Sequence, residues 1–171
     1  INEKQKTHAH YKDAKDAISK QTGITDPKQL TIIMTNFFQY NYLEVAREMK
    51  DDIFEKGMLE VIKKLSENYD LAIASTLRQD IIEPTLKLLN IQDYFQGVYA
   101  NTSDLYFSKY DLVKEATTKH ECIYMIGDRE DDIQAGKNNG LKTIRVNWGH
   151  EDANDAITDS NEIISIINNG K

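Results

Sequence analysis

The apolar run LAIAS (71–75) is followed by a helical pattern, then by GVYA (97–100), CIYMI (122–126) and KTIRV (142–146), each set off from the next in the same way. A run such as LAIAS, with no polar alternation, is what a parallel strand covered on both faces requires. Strand and helix alternating in this order predict a doubly wound parallel α/β sheet. Helices are expected at 58–68, at about 79–89 with Pro84 near the first turn, near 110–119, near 130–138 and at 161–168.

The first 50 residues follow a different rule. Residues 3–21 read as an amphipathic helix that Gly23 can end, and Asp26-Pro27 is a cap and first-turn signal for the next. Residues 27–50 continue at helical spacing, with Leu30, Ile33, Met34, Phe37, Phe38, Leu43 and Val45 available for a packed face. TIIMT (31–35) has strand propensity, but apolar residues carry on at helical spacing to both sides of it. Two helices joined by a short loop make a hairpin.

At 171 residues the chain is long enough for one domain with a full core, or a core with a small insert. A formal net charge of −7 and the absence of a basic patch argue against a nucleic-acid partner held by phosphate contacts. A small phosphate substrate stays open, because a metal ion can supply the positive charge. The single cysteine, Cys122, cannot form an internal disulfide, and a reducing compartment fits it best. No stretch approaches the roughly 20 apolar residues of a membrane span and no signal-peptide pattern is present, so a cytoplasmic protein is expected.

Ligands of open α/β sheets bind beyond the carboxyl ends of the strands, which makes the residues after each apolar run the informative ones. They are Ser75 and Thr76; NTSDLYFSK, ending in Lys109; Gly127 and Asp128; and Asn147, Trp148, Gly149 and His150. The third group opens GDREDD, with four acidic residues at 128, 130, 131 and 132. Carboxylates suit the first turn of a helix, and they equally suit a divalent cation. A hydroxyl, a lysine and a carboxylate cluster on one rim form an inventory for phosphate plus metal. Ser75 as an ordinary strand-to-helix cap and Lys109 as a surface lysine are the plainer alternatives. His8, His10, Tyr11 and Lys12 on the first helix read as solvent-facing. Histidines at i and i+2 do not share a helical face. Trp148 reads as a core or loop anchor, and His150 is undecided.

In this order, LAIAST, SKYDLV and IGDREDDI resemble the second, third and fourth motifs of the haloacid dehalogenase-like hydrolase superfamily, which is mostly magnesium-dependent phosphatases. The intervening LLNIQDYFQGVYA and the trailing AGKNNGLKTIRVNWG read the same way. The helical residues resemble the cap of the helical-cap, phosphoglycolate phosphatase-like subclass. The resemblance implies a Rossmann-like core at 57–171 and a helical cap at 1–56 that closes over substrate and excludes water. It implies Mg²⁺ on Asp128, with Asp132 as a further ligand or as an orienting residue. Asp131 is a weaker candidate, and Glu130 and Arg129 read as solvated. It implies Ser75 or Thr76 donating to a phosphate oxygen, and Lys109 stabilising the transferring phosphoryl group. Gly127 would keep the turn small where a metal approaches.

One departure matters. The family's first motif, Asp-x-Asp at the end of a central strand, supplies the nucleophile and the general acid/base, and these 171 residues contain no such motif before the cap. That strand would lie between the runs 71–75 and 122–126. The expectation is that a segment upstream of these residues, or a partner chain, fills the place, because an empty slot would leave backbone groups unpaired. Direct pairing of the two runs would contradict it. The function implied is a Mg²⁺-dependent phosphatase of a small phosphorylated metabolite acting through an aspartyl-phosphate, with the nucleophile outside the residues given. The alternative is a non-catalytic relative that binds a phosphorylated ligand or a protein partner. A dehalogenase needs no Mg²⁺, and GDREDD favours the metal-dependent branch over it.

Overall fold

The computed structural model describes residues 15–49, 54–102, 105–148 and 155–170. The chain falls into two compact units, Ile1–Glu48 and Met49–Lys171. The expected helix over 3–14, His8, His10, Tyr11, Lys12, Gly149, His150 and the Phe38 side chain lie outside the described residues.

In the first unit, helix α1 (15–22) ends at Gly23, whose φ of +73° is the left-handed conformation glycine adopts without penalty. The Gly23 N–H donates to Ser19 O at 2.9 Å. Helix α2 (Pro27–Met49) starts as its residues dictate. Asp26 Oδ1 accepts the N–H groups of Lys28 at 2.7 Å and Gln29 at 2.9 Å, and Pro27 needs no donor in the first turn. TIIMT is helical. The packed face holds at Leu30 and Met34, which are buried, and fails at Phe37 and Val45, which are 66% and 48% exposed. Phe37 shares the stripe of Leu30 by spacing but lies two turns farther along it. Stripe position decides direction, whereas burial depends on what lies opposite.

The second unit is α3 (Met58–Ser66), β1 (Leu71–Arg78), α4 (Gln79–Leu88), a 3₁₀ turn, β2 (Phe95–Asn101), α5 (Lys109–Lys119), β3 (Tyr124–Gly127), α6 (Glu130–Asn138), β4 (Lys142–Arg145) and α7 (Asn161–Asn169). β1 pairs with β2 and β3 with β4, both in parallel. Among the described residues neither pair is joined to the other. The direct pairing of 71–75 with 122–126 that would contradict a central strand between them is therefore not seen. The pairs are held by what covers them. Leu71 of β1 and Tyr124 and Ile126 of β3 pack on one cluster built from Val61 and Leu65 of α3, Ile144 and Val146, and Ile163 and Ile167 of α7. Elsewhere α5 packs against β1, β2 and α6, and α6 packs against β3 and β4. Trp148 packs on the first cluster as an anchor.

Several details differ from the sequence reading. β1 runs on to Arg78 instead of ending at Ser75, through a slip in register from Ser75↔Ala100 to Arg78↔Asn101. Pro84 is the sixth residue of α4, past the first turn, where it removes a backbone donor from the helix. β3 begins at Tyr124, so Cys122 precedes it; Cys122 is half-buried, and burial pushes its thiol pKa up. Among the described residues no helix is long and apolar enough to cross a membrane.

Ile163 is fully buried at the centre of the shared cluster, while Ile166 of the same helix is 37% exposed. Ile163→Ala is expected to lower unfolding free energy by about 2–5 kcal/mol, and Ile166→Ala by much less, in urea denaturation followed by circular dichroism. Equal losses would mean that α7 does not hold the strand pairs together.

Candidate active site

Lys109 opens α5, and the helix start is tightly specified. Ser108 Oγ accepts the Asp111 N–H at 3.2 Å, and Asp111 Oδ2 accepts the Ser108 N–H at 3.2 Å. This reciprocal cap fixes the first turn. Helical side chains lean toward the N-terminus, which sends the Lys109 stem back over the strand ends. Its ammonium donates to Ala74 O of β1 at 2.9 Å and lies 2.8 Å from Asp132 Oδ1. The Lys109 and Asp132 side chains are only 14% and 6% exposed. Asp132 Oδ1 makes no hydrogen bond of good geometry, so its contact with the lysine is an ion pair.

Asp132 belongs to the first turn of α6, where its Oδ2 accepts the Arg129 N–H at 3.2 Å. It fits because of Gly127: a Cβ built there would lie 2.4 Å from Asp132 Cβ. Gly127 thus makes room for the Asp132 side chain, a different reason from the metal approach expected of it. Asp128 follows Gly127 at the carboxyl end of β3 and is half-buried. Lys109 therefore links Ala74, the neighbour of Ser75, to the turn that carries Asp128.

Ser75 is the last residue of the regular β1 ladder. Its Oγ accepts the Leu77 N–H at 3.2 Å. Thr76 is exposed, and its carbonyl accepts Asn101 Nδ2 at 2.9 Å. The remaining acids of GDREDD have other partners. Glu130 is exposed, as expected, and it also pairs with Arg145, whose side chain is 14% exposed, and accepts Gln134 Nε2 at 2.7 Å. Asp131 lies exposed, 3.9 Å from Arg129. Among the described residues no group of three or more His, Cys, Asp or Glu could hold a metal ion. The sequence reading passed over Asn101 and Arg145. An asparagine after an apolar run is ordinary loop chemistry, and nothing in its neighbours marks it as buried.

Residues 2–146 match the family model described as haloacid dehalogenase-like hydrolase. The chain is 25% identical over 158 residues to phosphoglycolate phosphatase from Aquifex aeolicus, a match covering 84% of this chain and 73% of that protein. It is 26% identical over 132 residues to pyrophosphatase PpaX from Bacillus mycoides, where the match covers 72% of this chain and only 59% of the relative's length. The fold is similar to that of the HAD-hydrolase YfnB from Bacillus subtilis, solved bound to magnesium, with a TM-score of 0.62 at 16% identity, covering 98% of this chain and 84% of that one.

Two predictions follow from the ion pairs. Lys109→Met leaves the buried Asp132 carboxylate without its counter-charge and is expected to cost about 3–5 kcal/mol of stability. Lys109→Met with Asp132→Asn keeps the cap acceptor, removes the charge and should recover much of that loss. Additive costs in this double-mutant cycle would contradict the pairing. The Gln134 hydrogen bond first, and then Arg145, hold the Glu130 carboxyl pKa below its usual 4.5. A carboxyl depressed in the folded state stabilises above its unfolded pKa and loses that contribution as pH falls through the folded one. The stability difference between wild type and Glu130→Gln should therefore be present at pH 7 and vanish in acid. A difference that grows on acidification would contradict the pairing with Arg145.

Proposed function

The chain belongs to the haloacid dehalogenase-like hydrolases, and on that premise we propose that it serves a Mg²⁺-dependent phosphatase acting on a small phosphorylated metabolite. The observation that carries this reading is the Lys109 ammonium, held between Ala74, next to the last regularly paired residue of β1, and the first turn of α6. It is a fixed positive charge at the rim where open α/β sheets bind ligands. Phosphoryl transfer asks for positioning and charge stabilisation above all. The names of the relatives, a phosphoglycolate phosphatase and a pyrophosphatase, support a phosphorylated substrate.

In the proposed reaction a carboxylate oxygen attacks phosphorus and the ester P–O bond breaks. The leaving alkoxide takes up a proton, and an aspartyl-phosphate remains. Water then attacks that intermediate, releasing orthophosphate and regenerating the carboxylate. Lys109 offsets the charge on the transferring group. Ser75 Oγ already accepts from Leu77, so its own hydrogen is the one to offer a phosphoryl oxygen. Thr76, exposed beside it, is the competing donor. Asp132 orients Lys109, a role its ion pair favours over direct metal ligation. Asp128 is the residue assigned to hold Mg²⁺, an ion that takes few protein carboxylates, keeps waters and substrate oxygens in its shell, and supplies positive charge when bound. The nucleophile belongs to a strand in the slot between β1 and β3, from outside these 171 residues or from a partner chain. The helical residues up to 56 form the cap in this reading, 57–171 form the core, and the location is the cytoplasm.

The second reading is a non-catalytic relative that binds a phosphorylated ligand or a protein partner. Assays with and without chelator separate the two. The 171 residues alone should not turn over a generic phosphate monoester. A chain carrying the additional strand should do so with Mg²⁺, and Lys109→Met in that chain should lower kcat by about 10²–10³. Asp128→Asn should weaken Mg²⁺ binding. Equal metal-dependent turnover by the short chain would move the nucleophile elsewhere, and an inert longer chain would leave the binding role.

A further inference from the structure

Asn101 ends β2 and is 2% exposed, one of the few buried polar side chains among the described residues. Both ends of its carboxamide are used. Nδ2 donates to Thr76 O at 2.9 Å, and Oδ1 accepts the Phe107 N–H at 2.6 Å. Phe107 stands two residues before Lys109, and Thr76 stands two residues after Ala74. Since Lys109 Nζ donates to Ala74 O, the contacts close a ring: Asn101 to Thr76, along β1 to Ala74, across to Lys109, back along the chain to Phe107, and to Asn101 again. We infer that Asn101 is a positioning residue for Lys109, setting how far the lysine's helix stands from the Ala74–Thr76 stretch of β1. The inference rests on the reading of Lys109 as the phosphoryl-binding charge.

The register of the sheet explains why the residue is needed. Between Ser75↔Ala100 and Arg78↔Asn101 two residues of β1 have no partner in the ladder. The Thr76 carbonyl has no ladder partner there, and the Asn101 carboxamide supplies its donor. Across from it the Phe107 N–H needs an acceptor. A side chain serving both must carry a donor and an acceptor on one short stem, which asparagine does. Aspartate keeps the acceptor, loses the donor, and sets its charge against the Thr76 carbonyl. Leucine supplies neither. The outcome is rigid placement of a residue whose own long stem has four torsions to lose.

Two readouts test this, and they separate the inference from the reading beneath it. The first is the ¹⁵Nζ ammonium signal of Lys109 by NMR, assigned with Lys109→Met, and it needs no ligand. Lys109 should give a distinct, slowly exchanging signal in wild type, and the signal should broaden or merge with the free lysines in Asn101→Leu and in the near-isosteric Asn101→Asp. The second is the affinity for inorganic phosphate. Asn101→Leu should weaken it by about threefold to tenfold and should have no further effect once Lys109 is methionine. A Lys109 signal unmoved by Asn101→Asp, whatever happens to the melting temperature, overturns the positioning role. Equal weakening with and without Lys109 overturns it too. If Lys109→Met leaves phosphate affinity unchanged while the NMR signal still depends on Asn101, positioning stands and the phosphoryl-binding reading fails.

Discussion

The ammonium of Lys109 takes a carbonyl from β1 and a carboxylate from α6. Among the described residues, β1 and the strand β3 that leads into α6 belong to strand pairs with no ladder between them. A nearly buried lysine is tolerable only with such partners, since stripping water from a charge is expensive. The pairing makes Lys109 a link between the two halves of the core and fixes a positive charge at the sheet's carboxyl rim. The reciprocal cap at Ser108 and Asp111 holds its helix, the Asn101 carboxamide holds the loop before it, and Gly127 leaves room for its counter-ion.

The acid-rich start of α6 raised two readings, a favourable helix start and a ligand site, and the structure shows the first together with ion pairs to neighbouring elements. Asp132 accepts the Arg129 N–H in the first turn with one oxygen and faces the Lys109 ammonium with the other. Glu130 reaches across to Arg145 on β4, and that arginine lies 3.7 Å from Asp155. Helix-start carboxylates are favourable in any helix. Here their second oxygens and longer reach tie the helix to the neighbouring strand and to α5, leaving Asp128 as the acid set directly on the end of β3.

What was legible in the sequence was local. The runs LAIAS, GVYA, CIYMI and KTIRV each contain the core of a strand, and α6 spans the residues its capping pattern marks. Gly23 and Asp26 set the helix ends in the first unit because turn chemistry acts within a few residues. The misreadings concern partners distant in the chain. The extension of β1 depends on its register with β2, and the exposure of Phe37 on what lies opposite it. Lys109, Ser75 and Asp128 could be named as candidates from their places after strands. Asn101 stands in the same kind of place, after GVYA, but its role could not be read there, because it depends on hydrogen bonds to Thr76 and Phe107 that only the folded chain brings together.

The most direct measurement is a crystal structure of the protein soaked with tungstate, an anion of phosphate shape located by its anomalous scattering. A tungstate oxygen about 3 Å from Lys109 Nζ, with others facing Ser75 or Thr76, is the expected result. An ordered tungstate held at another site, with Lys109 still closed on Ala74 and Asp132 alone, would contradict a phosphoryl-binding rim and leave Lys109 a structural cross-brace.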